Sequence, residues 1–371
     1  MIPVSRPCIT NDDVEAVADI LRQGFVSGDA PIVAEFERDF AKAVNRSHGI
    51  AVANGSVALD LALHTLDLNE HDEVVIPSFT IASCLFAVLR TKARPVFADV
   101  DPSTWNLTVE NLQNVVTPRT RALLAVHVYG LPIDMDPILR FCADRGITII
   151  EDAAESHTVT YNGRVCGSFG LASTFSFYAN KAITCGEGGM IVTDDDRFAA
   201  RLRSLRNLSF LPAPGPRFVH EEIGWNFRLS ALQAALGKSQ LLRMNDVTAE
   251  KRRIGLAYHQ FLSNNSSLAM QPASTAYSNN MYWVVGIVLP KECDARTIAA
   301  ALRERGVDTR PFFYPLHQQP VLAKYSLDVQ PSLPVSERLG RSGLYLPSFV
   351  GITDDEIAHC ATSFLDVLAT I

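Results

Sequence analysis

Between residues 50 and 193, short β-branched apolar runs alternate with longer amphipathic stretches, and this alternation limits the possible folds more than any other feature. Residues 50–53, 73–77, 95–100, 122–128, 148–152, 173–177 and 190–193 read as buried strands. Residues 57–66, 82–91, 109–115 and 134–145 read as the helices between them. Strands that alternate with helices predict an α/β fold, with a mostly parallel central sheet covered by helices on both faces. Several strand ends run into small or polar residues: Ala53-Asn54-Gly55-Ser56, Pro77-Ser78-Phe79-Thr80 and Glu151-Asp152. The carboxyl ends of strands are where an open α/β sheet holds its ligands.

After Arg228 the pattern changes. Leu229, Leu232, Leu236, Leu241 and Leu242 keep a helical spacing through a long polar segment to about residue 263. A strand at 282–289, a helix at 295–305, an extended run at 308–315 and a closing helix at 354–368 suggest a smaller mixed unit. The length of 371 residues suits two domains. The expected division is 1–240, a large domain whose segment 1–30 lies near the substrate, and 241–371, a small C-terminal domain.

Composition narrows the function classes. The net charge is −7 and no Lys/Arg block occurs, which argues against nucleic acid as the main partner but not against a small anion. The longest apolar stretches, 122–128 and 282–290, fall well short of the roughly 18 residues of a membrane span, and the N-terminal segment has no secretory core. Seven scattered cysteines without a CxxC pair read as reduced thiols in the cytoplasm and give no zinc site.

Three segments carry chemistry. Phe175-Ser-Phe-Tyr-Ala-Asn-Lys181 presents Ser176 and Lys181 after a strand and leads into the glycine cluster 186–189, where the backbone can come close to a ligand. Taken alone, Lys181 is as well an exposed loop lysine; it precedes the glycines, so this is no Walker loop. In Ile149-Ile-Glu-Asp152-Ala-Ala-Glu155, Asp152 follows a strand end, where a carboxylate often only caps a helix. Together, Lys181 and Asp152 fit pyridoxal 5'-phosphate, which needs a lysine for the Schiff base and a carboxylate for its ring nitrogen. Gly55 and Ser56 open a helical pattern, where free N–H groups favour a phosphate, though Ser56 could be a cap alone; Ser176 could add a hydroxyl. The run Asp194-Asp-Asp196 reads as a turn and helix start rather than a metal site, and His127 and His157 read as structural.

These segments, with 24–31, Pro77-Ser-Phe-Thr80, Gly224-Trp-Asn226-Phe-Arg228, Arg310-Pro311, Pro315-Leu-His317 and Leu346-Pro347, resemble the sugar-nucleotide aminotransferases of the DegT/StrS type over nearly the whole chain. The resemblance implies the fold type I of pyridoxal-phosphate aminotransferases, with Lys181 as the Schiff-base lysine and Asp152 as partner of the pyridine nitrogen. It implies Gly55, Ser56 and Ser176 around the phosphate, Glu155 beside the ring, and Asn226 reaching a neighbouring subunit's phosphate in a homodimer. Ser27, Arg228 and His317 take positions of substrate contacts. Relatives that dehydrate the sugar replace the lysine by histidine, so Lys181 favours amination. Two positions depart from the pattern: Glu155 stands where glutamine is common, and Ile81 where an aromatic residue usually stacks on the ring.

The strings around Asp152 and Lys181 are most similar to the subgroup that makes GDP-perosamine by amination of C4 of GDP-4-keto-6-deoxy-D-mannose, with L-glutamate as amino donor. UDP- or dTDP-linked 4-keto sugars, and amination at C3 as for GDP-3-keto-6-deoxymannose, stay open. Cysteine desulfuration would need a mobile loop cysteine, and Cys185 reads as a packing residue. A non-catalytic pyridoxal-phosphate-binding regulator is the remaining alternative.

Overall fold

A computed structural model describes residues 1–211, 215–216, 218–291, 293–325 and 332–370. The first seven strands of the central region are β1 (His48–Val52), β2 (Glu73–Pro77), β3 (Arg94–Ala98), β4 (Thr120–Val126), β5 (Thr148–Asp152), and the short hairpin β6 (Thr160–Tyr161) and β7 (Arg164–Val165). β8 (Ala172–Ser176) and β9 (Gly189–Thr193) follow. The main sheet has the order β1-β9-β8-β5-β4-β2-β3. β3, β2, β4, β5 and β8 pair in parallel, and β9 runs antiparallel to both β8 and β1. The fold is therefore α/β with a mostly parallel sheet, as the alternating pattern predicts.

The two faces of the sheet follow from the period of two along each strand. Val74, Ile76, Ala122, Leu124 and Ile150 enter one core, with the helices Gly55–His64, Ala82–Arg90 and Asp196–Arg206. Val75, Leu123, Ala125 and Ile149 enter another, with the helix Met135–Ala143. Because both faces are covered, β2 is buried along its whole length, which is why these strands read as continuous apolar runs.

A second sheet, of order β10-β12-β11, is formed by β10 (Val285–Val288), β11 (Arg310–Pro311) and β12 (Gly343–Leu346), all antiparallel. It shares a core with residues of the helices Met244–Leu262, Ala295–Glu304 and Asp354–Ala369. The first residues of the chain join this unit: Ile2 bonds to Gly306 and Asp308 through its backbone.

Three expected elements differ in extent. The run 229–263 is two helices, Ala231–Leu241 and Met244–Leu262, because Arg243 leaves helical geometry. The strand expected at 282–289 begins only at Val285, since Tyr282 has φ +55° and Met281 and Trp283 donate instead to the carbonyls of Gly130 and Tyr129. The run 308–315 pairs only at Arg310–Pro311; Pro311 has no N–H to donate, and the segment stays an edge strand. Among the described residues no helix is long and apolar enough to cross a membrane, and no cysteine is in a disulfide.

Candidate active site

The carboxyl ends of β1, β5 and β8 converge on one cavity of about 590 Å³. Its walls include Gly55, Ser56, Asp152, Glu155, Ser176 and Lys181. β1 leads into Asn54, whose side chain accepts the N–H of Val57 at 3.0 Å and caps the helix Gly55–His64. This leaves the first N–H groups of the helix directed at the cavity. The Ser56 hydroxyl lies 2.7 Å from that of Ser83, at the start of the next helix. Gly55 packs on Ser176 so closely that a Cβ at residue 55 would lie 2.7 Å from the Ser176 Cβ. Three hydroxyls and a helix N-terminus thus form a cradle suited to a phosphate, and the cradle exists only because residue 55 has no side chain.

Lys181 lines the same cavity. Its Nζ is 3.5 Å from Oε1 of Glu155 and 3.6 Å from the ring centroid of Trp283. Burial lowers the Lys181 pKa, opposed by the negative charges of Glu155 and Asp152. Trp283 is held by its own Nε1–H, which donates to the carbonyl of Asn180 at 2.9 Å. Asp152 ends β5 and is buried; it accepts the N–H of Ala154 at 3.1 Å, and the thiol of Cys84 lies 3.4 Å away. Burial raises the Asp152 pKa, opposed by the Ala154 N–H and the Lys181 charge. Glu155 accepts the N–H of Tyr129 at 2.9 Å, and burial pushes its pKa up to about 7.

The neighbouring acid, Glu151, points to the other side of the sheet and is fully satisfied. It accepts Nε2–H of His127 at 2.7 Å, the N–H groups of Gly167 and Phe169 at 2.5 and 2.9 Å, and the Ser173 hydroxyl at 2.8 Å. His127 Nδ1 accepts the N–H of Ile133, which leaves the Nε2–H directed at Glu151. His127, Glu151 and Cys166 have ligand atoms within 4.8 Å of one another, but both nitrogens and all four carboxylate lone-pair positions are already used within the fold. His157 is buried against Phe175 and Phe177, and burial lowers its pKa to about 3, which keeps it neutral.

The remaining sequence candidates lie elsewhere. Asn226 is exposed, between Trp225 and Phe227, on a segment that runs beside the end of β1. Ser27 is exposed on a neighbouring strap, where Gly28 packs on Arg228, and Arg228 donates to Asn207 at 2.6 Å. His317 is buried, with Nδ1 2.7 Å from the Ser78 hydroxyl and Nε2 3.2 Å from Glu337. None of these four lines the cavity of its own chain. Ile81 does line it and is 44% exposed, whereas Phe79 is turned into the core against Tyr129, Phe312 and Phe313. Sequence reasoning missed Ser83, Trp283 and Tyr345, all in the cavity wall. Ser83 could have been found from its place in the first turn of a helix that follows a strand end; the two aromatic residues give no such signal.

The model of the DegT/DnrJ/EryC1/StrS aminotransferase family matches residues 7–365. The chain belongs to this family. It is 34% identical to GDP-perosamine synthase of Escherichia coli O157:H7, over 98% of this chain and 97% of that one. It is 35% identical to GDP-perosamine synthase of Caulobacter vibrioides, over 99% and 98%. Among solved structures, the aminotransferase TlmJ from Streptoalloteichus hindustanus superposes with a TM-score of 0.93 at 29% identity, covering 100% of this chain and 99% of that one. The protein is accordingly a pyridoxal-phosphate-dependent sugar-nucleotide aminotransferase with the aminotransferase fold. The cradle, the buried carboxylate and the buried lysine are the groups this family's cofactor needs: donors for a phosphate, a partner for a ring nitrogen and an amine.

Proposed function

We propose that the enzyme moves the amino group of L-glutamate to C4 of GDP-4-keto-6-deoxy-D-mannose, giving GDP-perosamine. The observation that carries the reading is the convergence of Lys181, Asp152 and the Gly55–Ser56–Ser83–Ser176 cradle on one cavity. Identity to GDP-perosamine synthases along almost the full length supports the choice of nucleotide and sugar.

Bound pyridoxal phosphate supplies a ring that takes up the electrons left when the donor's Cα–H bond breaks. Lys181 would hold the cofactor through Nζ, and its freed amine would serve as the base that accepts the donor's Cα proton and then as the acid that gives it back. That role needs Nζ neutral for part of the cycle, and burial of Lys181 acts in that direction. Asp152 would keep the ring nitrogen protonated, Glu155 would lie beside the ring, and the hydroxyls of Ser56, Ser83 and Ser176 would hold the phosphate.

We further propose a homodimer in which the partner subunit's Asn226 completes the phosphate site and Ser27, Arg228 and His317 contribute to the sugar-nucleotide entrance. Supporting this, the strap that carries Ser27 exposes two large apolar side chains, Phe25 and Val26, 67% and 45% accessible.

The test is the visible spectrum of the holoenzyme. L-glutamate should bleach the bound-cofactor band, and GDP-4-keto-6-deoxymannose should restore it faster than UDP- or dTDP-linked 4-keto sugars. Lys181→Ala should lose turnover entirely. A band insensitive to every amino donor, or a preference for another nucleotide, overturns the assignment.

A further inference from the structure

Beside the cofactor cavity a second chamber of about 270 Å³ opens, sharing Tyr178, Asn180, Lys181, Trp283 and Tyr345 with it as a common wall. Its most unusual occupant is Lys251, from the helix Met244–Leu262. Lys251 is only 7% exposed, and its ammonium donates to the carbonyl and the hydroxyl of Ser348, the latter at 3.3 Å. Among the described residues no carboxylate pairs with it, and burial alone pushes its pKa down to about 7. A buried ammonium held by neutral oxygens is costly unless something anionic joins it.

The walls around it repeat the same sign. Arg6, on the N-terminal segment, stacks its guanidinium 4.6 Å from the centroid of the Phe349 ring and stays exposed at the chamber mouth. Arg310 enters from β11, held at 3.1 Å by Asp308, which lies outside the chamber wall. The other ionisable groups facing the chamber are Cys8, Tyr178, Lys181 and Tyr345, and none of them is a carboxylate. The chamber is therefore a small cationic space that ends at the amine of Lys181.

We infer that this chamber, walled by Arg6, Lys251 and Arg310, receives a carboxylate of the amino donor, a dicarboxylic amino acid. The inference rests on the transaminase reading above and adds where the donor's charge is read. Size decides between the two anionic substrates. The chamber falls below the usual range for drug-sized ligands, so it accommodates a dicarboxylic amino acid but not a nucleotide-linked sugar. The donor's amino group would then start next to Nζ, and its negative charge would neutralise a cation the fold itself leaves unpaired.

Lys251→Met tests this in the holoenzyme, with glutarate as a non-reactive dicarboxylate probe. Calorimetric Kd for glutarate and KM for L-glutamate should both rise about tenfold or more, the loss of one charge-assisted contact. kcat at saturating donor and KM for the keto sugar nucleotide should stay within about twofold, because the lost contact serves ground state and transition state alike. Lys251→Arg should recover part of the affinity. Unchanged glutarate binding in a folded Lys251→Met enzyme that still transaminates overturns the donor subsite alone. A rise confined to the sugar nucleotide also overturns it and gives the chamber to the pyrophosphate. A wild-type enzyme that neither binds glutarate nor accepts an amino group from glutamate overturns this inference and the choice of donor together. Arg6→Gln provides a second variant at an exposed position, where folding is not at stake; its expected effect has the same sign and a smaller size.

Discussion

At the level of single residues, Gly55 and Lys251 show two ways in which a side chain, or its absence, determines a site. The Cβ that alanine would add at residue 55 meets Cβ and Oγ of Ser176 at 2.7 and 3.1 Å. Gly55→Ala must therefore push the helix start away from β8. The expected cost is about 1–3 kcal/mol of stability, as for other overpacked sites, with a larger proportional loss of pyridoxal-phosphate affinity. Denaturant melts of the apoprotein and a cofactor titration measure the two separately. Lys251 gives a pH dependence of definite sign. Its folded pKa, about 7, lies below its ordinary value of 10.5, so between these limits the unfolded chain binds more protons than the native one. Stability contributed through this residue rises with pH over that window. Lys251→Met should accordingly be more stable than wild type below pH 7, by on the order of a few kcal/mol, and the gap should close as pH rises toward 10.5. Parallel thermal melts at about pH 6.5 and about pH 9.5 would show it; an equal gap at both would contradict the linkage. Lys181 and Asp152 were legible because each lies at or shortly after a strand end in a short local string. Lys251 was not, because a lysine in a polar helix looks solvated until the packing of distant segments around it is known.

The elements add constraints that no single residue carries. The helix Gly55–His64 has only 10 residues, and its start depends on the Asn54 cap. Asn54→Ala should cost about 1 kcal/mol and weaken cofactor binding in parallel, since the same N–H groups that the cap orders face the phosphate cradle. A chemical-denaturation midpoint together with a cofactor Kd checks the coupling; a loss of stability with unchanged Kd would separate the cap from the cradle. Most strands of the main sheet lie within a few residues of the positions read from alternation, because both faces are covered and the apolar signal is continuous. The start of β10 was misplaced for a physical reason. Met281, Tyr282 and Trp283 are as apolar as a strand, yet Tyr282 takes a positive φ and the segment bonds to Tyr129 and Gly130, which brings Trp283 under Lys181. Periodicity cannot distinguish an apolar strand from an apolar bridge.

For the molecule as a whole, Asn226, Ser27 and Arg228 lie outside the cavity of their own chain, which makes the proposed second subunit testable by complementation. If Asn226 serves the partner's site, Lys181→Ala and Asn226→Ala subunits mixed and allowed to exchange should form heterodimers with one intact site. Random pairing then restores about a quarter of wild-type activity from two weak or inactive proteins. Activity no greater than the sum of the two parents would show that each site is built within one chain. The sequence by itself determined the α/β class, the alternation of strands and helices between residues 50 and 193, and a lysine and a carboxylate that together suit pyridoxal phosphate, since each rests on local periodicity or on a string of neighbouring residues. Only the tertiary structure decided what surrounds them. The contact of Gly55 with Ser176, the Ser56–Ser83 pair, Trp283 beneath the amine and the cationic chamber behind it join segments far apart in the chain, and their meeting depends on packing across two sheets that local sequence does not encode.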